Sequence, residues 1–336
     1  YAAKVAYLLI GCLILGVGVY MEVLADEVHN MGAPKSQCLM ELNPAYRIGL
    51  SATPRRNFDE IGSEKILNFY HQNTFEFSIK DAQREHYLVE YQYRVLPCAM
   101  PEEDWESYKA YSKEIVQLQH ALEQEDDEKD RLRLQQRIEG RYRDRAKLLK
   151  KNDQKVQTLQ TIFDEISPSA RVLIYGDDLN HLDELGKELD RMGKYYFKYT
   201  GELDAQKERP TILKEFRQGI RKILLAVGCL DEGIDIPACD VAVFISSSTS
   251  ERQFIQRRGR VLRIAPGKTT AWIYDYLVYP ILPASTSDED RRMALSMIDA
   301  QYRRINLMVD DAINGIREHQ KLDQFLSQRK LNPYDF

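Results

Sequence analysis

Between residues 171 and 276, short apolar runs alternate with amphipathic stretches, and that alternation limits the possible folds more than any other feature. RVLIYG (171–176), YYFKYTG (195–201), KILLAVG (222–228), VAVFI (241–245) and TAWIYDY (270–276) read as strands. LNHLDELGKELDRM (179–192) and AQKERPTILKEFRQG (205–219) read as helices between them. Strands that are apolar throughout, separated by helices of about 10 to 15 residues, predict βαβ units and a parallel sheet covered on both faces.

The first hundred residues give a weaker pattern. MEVLA (21–25), YRIGLSAT (46–53) and HYLVEYQYRVL (86–96) predict strands separated by turns. From Val5 to Ala25 the chain is apolar for about 20 residues, long enough to span a bilayer. Glycines at 11, 16 and 18 and the late Glu22 instead favour a buried strand-turn-strand of an α/β sheet. The stretch has no charged leader region or small-residue cleavage site. Tyr1 is not an initiator methionine, so the chain is expected to begin inside a longer polypeptide, and its first lobe to expose core surface and dissolve poorly.

Residues 102–153 hold no proline and one glycine. Acidic EQEDDE followed by basic RYRDRAKLLKK predicts an antiparallel helical hairpin turning near Asp126 and Asp127, either a solvated pair or a nucleic-acid contact. After Pro280, an amphipathic stretch predicts helices on a domain surface. The expected organisation is a first α/β domain over 1–100, a helical insertion or linker over 101–165, a second α/β domain over 166–280 and a helical extension over 281–336.

With 336 residues, 43% hydrophobic and 29% charged, the chain can build two cores and is not disordered. The net charge of −5 gives no global basic signature, so any nucleic-acid binding must be local. Five scattered cysteines without a CxxC pair fit a reduced, cytoplasmic protein better than a zinc or disulfide scaffold.

The chemistry concentrates in four places. In LADEVHNMGAP (24–34), Asp26 and Glu27 follow a strand, where α/β sheets bind ligands. Adjacent side chains on an extended backbone point apart, so one carboxylate can hold Mg²⁺ through water while the other orients an attacking water. The bland alternative is a capping aspartate beside a solvated glutamate. LSATPRR (50–56) offers the hydroxyls of Ser51 and Thr53. AVGCLDEGIDIPACD (226–240) places Gly233 and Asp235 in a loop between strands. QFIQRRGRVLR (253–263) brings Gln256, Arg260 and Arg263 to neighbouring positions at helical spacing, where guanidinium forks suit a transferring phosphoryl group. The competing reading is four exposed arginines on a solvated helix.

Taken in order, these segments resemble the motifs of superfamily 2 helicases and translocases. DEVH (26–29) resembles motif II, SAT (51–53) motif III, RVLIYG motif IV, YTG (199–201) the threonine-glycine step, AVGCLDEGIDIP (226–237) motif V and QRRGRVLR (256–263) motif VI. The group they look most like is that of XPB and the type III restriction enzymes, many of them acting in defence or repair. The resemblance implies tandem RecA-like parallel-sheet domains, the first incomplete, joined by a helical insertion, and ATP and Mg²⁺ as cofactors. It implies that Asp26 coordinates Mg²⁺ through water, Glu27 is the general base, and His29 and Gln256 link motif II to motif VI. It further implies that Ser51 and Thr53 couple hydrolysis to movement, Arg260 and Arg263 are arginine fingers, Gly233 and Asp235 meet the ribose, and Thr200 and Gly201 touch the nucleic-acid backbone. The implied partners are nucleic acid, with double-stranded DNA favoured, and other subunits of a restriction or repair complex; a membrane is not expected.

One motif is missing from the sequence. Such a motor needs GxxxxGK[ST], whose amides and lysine hold the β- and γ-phosphates. The nearest match, GCLILGVG (11–18), has Val17 and Gly18 in the lysine and hydroxyl positions. The chain alone is therefore expected not to hydrolyse ATP. A non-catalytic helicase-like module binding nucleic acid or a partner is the alternative, and a nuclease-associated restriction subunit is a weaker third.

Overall fold

A computed structural model describes residues 8–15, 18–33, 36–53, 59–71, 73–204, 206–227, 238–246 and 251–334. The chain divides into two compact units, Tyr1–Ser78 and Ile79–Phe336.

The first unit holds β1 (Leu8–Leu15), β2 (Gly18–Ala25), β3 (Tyr46–Gly49) and α1 (Glu60–Phe69), with 3₁₀ turns at Val28–Gly32 and Gln37–Glu41. Both strands of the expected strand-turn-strand form; β1 and β2 pair antiparallel, while β2 and β3 pair parallel with Leu24 opposite Ile48. Only two residues separate β1 from β2 in the sequence, too few for the crossover that parallel neighbours require, so a wholly parallel sheet does not form in this unit. Ala25, Val28, Met31, Ile66 and Phe69 form a small core against α1. Leu24, Tyr46, Ile48 and Leu50 stay exposed. Gly49 has a steric reason: a Cβ there would stand 2.7 Å from Val28 Cγ1 and 2.8 Å from the Tyr70 ring.

The second unit runs through α2 (Ile79–Arg84), β4 (Glu90–Met100), α3 (Glu102–Gln124), α4 (Glu128–Lys150), α5 (Asp153–Gln157) and α6 (Leu159–Glu165). It continues with β5 (Val172–Tyr175), α7 (Leu179–Arg191), β6 (Phe197–Tyr199), α8 (Glu208–Arg217), β7 (Ile223–Ala226) and β8 (Val241–Val243). It ends with α9 (Glu251–Val261), β9 (Thr270–Pro280), α10 (Asp288–Val309) and α11 (Gly315–Ser327). Its six strands form one sheet in the order β4-β9-β8-β5-β7-β6, every neighbouring pair parallel. The α/β expectation with a parallel sheet is met in this unit.

The strand alternation sorts side chains onto two cores. Leu173, Tyr175, Leu224, Ala242 and Phe244 face one apolar cluster, shared with α8, α9, α10 and α11. Val172, Ile174, Ile223, Leu225, Val241 and Val243 face the other, shared with α6 and α7. Strands buried on both faces read as unbroken apolar runs, which is why the sequence pattern was clear.

The boundary expected at residue 100 is corrected. β4, expected in the first domain, pairs along its whole length with β9, from Glu90 opposite Thr270 to Met100 opposite Pro280. Its alternation buries Tyr91, Tyr93 and Val95 in the second unit's core. The extension over 281–336 also belongs to this unit, through α10 and α11.

The helical hairpin forms as α3 and α4, turning at 125–127, with Asp127 capping α4 by accepting from the amides of Lys129 and Asp130. Arg141 reaches Glu114 at 2.7 Å across the pair. Lys109 meets Asp290 at the start of α10 at 3.1 Å. Among the described residues, no helix is long and apolar enough to cross a membrane.

Candidate functional site

In the first unit, the acidic pair sits at the exit of β2. The Leu50 amide donates to the Ala25 carbonyl at 2.8 Å, and the Val28 amide to the Leu50 carbonyl at 3.0 Å. These bonds hold the segment after β2 beside the segment after β3. Glu27 is left-handed, with φ 50° and ψ 48°, so the extended geometry expected for the pair is corrected. The chain bends here to enter the 3₁₀ turn, and the Glu27 amide donates to Asp26 Oδ1 at 2.9 Å.

His29 is buried beneath this bend. Its Nδ1 lies 3.2 Å from Glu27 Oε2 and 3.3 Å from Ser51 Oγ. Ser51 Oγ in turn accepts the Thr53 amide at 3.2 Å. Four sequence-predicted residues, Glu27, His29, Ser51 and Thr53, thus form one chain of polar contacts at a strand end. Asp26 stands beside them, exposed to solvent. The arrangement fixes one carboxylate against an imidazole and leaves the other outward, where a hydrated cation can reach it. Among the described residues, no group of three or more histidine, cysteine, aspartate or glutamate side chains is placed to hold a metal.

In the second unit, all six strands run the same way, so Gly176–Asp178 after β5, Thr200–Gly201 after β6 and Phe244–Ser246 after β8 share the C-terminal edge of the sheet. This edge is where parallel sheets bind ligands. Thr200 is buried and Gly201 is exposed. The Gly201 carbonyl accepts from Arg209 Nη2 at 2.6 Å. Gly233 and Asp235 lie outside the described residues.

The helix α9 carries the arginines with a division of labour the sequence reading missed. Phe254, Arg257, Arg258 and Val261 are all buried, at the i, i+3, i+4, i+7 spacing of one helix face. Arg257 lies over the Tyr175 ring at 4.8 Å and donates to the Ser246 carbonyl at 3.5 Å. Arg258 donates to the Leu307 carbonyl at 2.7 Å, to Asp311 at 3.0 Å and to the Tyr91 hydroxyl at 3.2 Å. These two arginines fasten α9 to the sheet and to α10, and the reading of four solvated arginines is set aside. Gln256 and Arg260 occupy the less buried side of the helix.

Arg263 does not continue that helical row. The helix ends at Val261, and Arg263 forms an isolated antiparallel bridge with Leu88. The Val89 amide takes the Leu262 carbonyl at 2.8 Å, and buried Lys268 donates to the carbonyls of Val261 and Arg263. These contacts satisfy the carbonyls at the helix end and turn the chain out of the helix.

Two further buried ionic residues escaped the sequence reading. Asp275, fully buried, accepts from the Tyr93 hydroxyl at 2.8 Å and from Arg304 Nε at 3.2 Å. Lys155, 3% exposed, donates to the Ile245 carbonyl at 3.0 Å and lies 5.4 Å from the centre of the Tyr276 ring. Burial, with help from the nearby Arg304 charge, lowers its pKa to about 7. Neither residue belongs to a recognised motif, but Asp275 sits within an otherwise apolar strand run, and that was a readable signal.

Residues 154–265 match the family model described as the helicase conserved C-terminal domain. These residues are similar to the C-terminal domain of helicases. The helicase-like domain thus covers α5 to the turn after α9, including every described motif residue of the second unit. Across a longer stretch of 255 residues, the chain is 23% identical to the DNA 3'-5' translocase XPB2 of Sulfurisphaera tokodaii, covering 72% of this chain and 55% of that protein. Over 133 residues it is 28% identical to UvrABC system protein B of Coxiella burnetii, covering 37% of this chain and 20% of that protein. The chain therefore spans about half the length of the first relative and a smaller part of the second. The structure is similar to the Pyrococcus furiosus Hef helicase domain with a TM-score of 0.44 and 16% identity, covering 81% of this chain and 72% of that one.

Proposed function

We propose that these residues are part of an ATP-dependent DNA translocase or helicase of superfamily 2, from the group that includes XPB. The observation that carries the reading is the split on α9, where Arg257 and Arg258 are spent on packing while Gln256 and Arg260 are presented on the other side of the helix. A helix anchored by two buried cations is a rigid mount for a third one, and a fixed guanidinium is what a developing phosphoryl charge requires.

In this reading Glu27 is the general base, oriented by His29, and Ser51 and Thr53 relay its state to the backbone after β3. Arg260, with Arg263 from the following turn, would stabilise charge on the γ-phosphoryl group, and Gln256 would pair with His29. Gly233 and Asp235 would meet the ribose. Thr200 and Gly201, with the other loops of the same sheet edge, would touch nucleic-acid phosphates; the name of the XPB2 relative favours DNA. Mg²⁺ bound through water to Asp26 would supply charge neutralisation on the phosphates. A restriction or repair assembly would supply further subunits.

The sequence contains no GxxxxGK[ST] loop, so turnover is assigned to a longer polypeptide that carries one and not to these 336 residues alone. The same absence favours the second reading, a helicase-like module that binds nucleic acid or a partner without catalysis. ATP turnover by the isolated chain, with and without duplex DNA and with Glu27→Gln as control, tests the assignment. DNA-stimulated hydrolysis lost in Glu27→Gln would contradict the claim that the loop must come from elsewhere. Salt-sensitive DNA binding without turnover supports it.

A further inference from the structure

The root of the α3–α4 hairpin is tied to three strand ends in succession. Lys150 Nζ meets Asp177 Oδ1 at 2.8 Å, and Lys151 meets Asp178 Oδ2 at 2.6 Å, both just after β5. Asn152 donates from Nδ2 to the Ala99 carbonyl in β4 at 2.9 Å, while its Oδ1 caps α5 by accepting the Gln154 amide at 2.9 Å. Lys155, one turn into that helix, then reaches the Ile245 carbonyl beyond β8. The next residue, Ser246, is the one whose carbonyl receives Arg257 of α9.

We infer that Lys155 is a positioning residue for the arginine-bearing helix, and that through it the hairpin root sets where Gln256 and Arg260 stand. Its ammonium fixes the Ile245 carbonyl, that carbonyl fixes Ser246, and Ser246 is an anchor point of Arg257.

The chemistry argues that this lysine is more than filler. A charged amine removed from water carries a desolvation penalty that an apolar side chain of similar length would avoid. Lys155 recovers part of it from one carbonyl hydrogen bond just beyond β8 and from the Tyr276 π-face within β9. The carbonyl it satisfies is not part of the sheet ladder, because β8 ends at Val243. Without Lys155 the Ile245 carbonyl would be a buried acceptor lacking that donor, and the cheapest relief is a shift of the segment that leads into α9.

The hairpin is joined to the sheet edge by paired charges and side-chain bonds, and so is a lever with a defined fulcrum. Whatever engages α3 and α4 acts on residues 150–155 first. The role assigned to α9 in nucleotide chemistry rests on the function proposed above, but the mechanical link does not.

Hydrogen exchange on the 336-residue chain tests the link without nucleotide. Lys155→Met is expected to raise exchange at least tenfold across 244–246 and α9, leaving β7 and α11 within about twofold of the parent. Lys155→Arg, which keeps a cationic donor, is expected to recover most of the protection. Unchanged α9 exchange in Lys155→Met, a uniform rise across the second unit, or an arginine variant no better than methionine would each overturn the inference. If Lys155→Met does not fold, Asn152→Ala serves instead, since it loosens α5 from β4. It is expected to raise α9 exchange as well, and an unchanged α9 overturns the inference. Failure of ATP turnover in any longer polypeptide leaves these readouts untouched, so the two proposals fail separately.

Discussion

The Tyr93 hydroxyl donates to the Asp275 carboxylate at 2.8 Å between the paired strands β4 and β9, and Arg304 of α10 closes the same carboxylate from Nε at 3.2 Å. Asp275 has no exposure, so its charge is compensated entirely from within. Burial, with the carboxylate alongside, holds the Tyr93 hydroxyl protonated well above the usual phenol range, so it stays a donor. Asp275→Ala removes the anion and strands Arg304; the expected cost is about 3–5 kcal/mol. Urea unfolding should show that loss, and Asp275→Ala with Arg304→Met should recover a part of it. Additive losses in the double variant would mean that the two side chains do not act as a pair.

The open edge of β4 is closed by side chains rather than by another strand. Asn314 accepts the Tyr93 amide at 2.9 Å and donates to its carbonyl at 2.8 Å, and Glu318 accepts the Val95 amide at 3.0 Å. Such an amide mimics a neighbouring strand and blocks edge-to-edge pairing. Asn314→Ala should lower stability by about 1–3 kcal/mol and increase concentration-dependent association, measured by light scattering. A monodisperse, equally stable variant would show that the edge is protected by other means.

Gly315 marks the turn between α10 and α11. A Cβ at this position would run into the Val309 carbonyl, and backbone cannot yield as a side chain can. Gly315→Ala should therefore destabilise by about 1–3 kcal/mol, seen as a lower melting temperature. An unchanged melting temperature would place the turn elsewhere.

Two buried bases make stability rise with pH in separate windows. His181 is lowered to about 4 by burial, with the Lys155 and Lys151 charges adding to the effect. The unfolded chain binds that proton more tightly, so stability falls as pH drops from about 6.5 towards 4, by about 3 kcal/mol in all. Lys155, also depressed by burial, gives the corresponding gain as pH rises from about 7 towards 10.5. Denaturant midpoints across pH should lose the acid limb in His181→Gln and the alkaline limb in Lys155→Met. Parallel curves for variant and parent would refute the assignment.

How legible the molecule was depended on where burial is symmetric. The second unit's strands are buried on both faces, and RVLIYG and KILLAVG announced themselves as unbroken apolar runs. HYLVEYQYRVL was readable as a strand but not as a member of that sheet, because its partner β9 lies some 180 positions downstream and register between distant strands leaves no local trace. The acidic pair was found, yet the left-handed bend at Glu27 was not, since glutamate gives no turn signal. In QFIQRRGRVLR the motif drew attention to all the arginines together. The spacing of Phe254, Arg257, Arg258 and Val261 already separated the packed pair from Arg260, because long cationic side chains can share an apolar face when their heads find acceptors.

The proposed division of labour on α9 has Arg260 act on the phosphates while Arg258 holds the helix. It is tested most directly by DNA-stimulated ATP turnover in a polypeptide that carries these residues behind a GxxxxGK[ST] loop. Arg260→Ala is expected to cut kcat by roughly 10³-fold or more, with a smaller drop in unfolding midpoint than Arg258→Ala. Arg258→Ala should lower the midpoint itself, by about 3 kcal/mol in stability. Turnover that survives Arg260→Ala at the parental rate would contradict that division of labour.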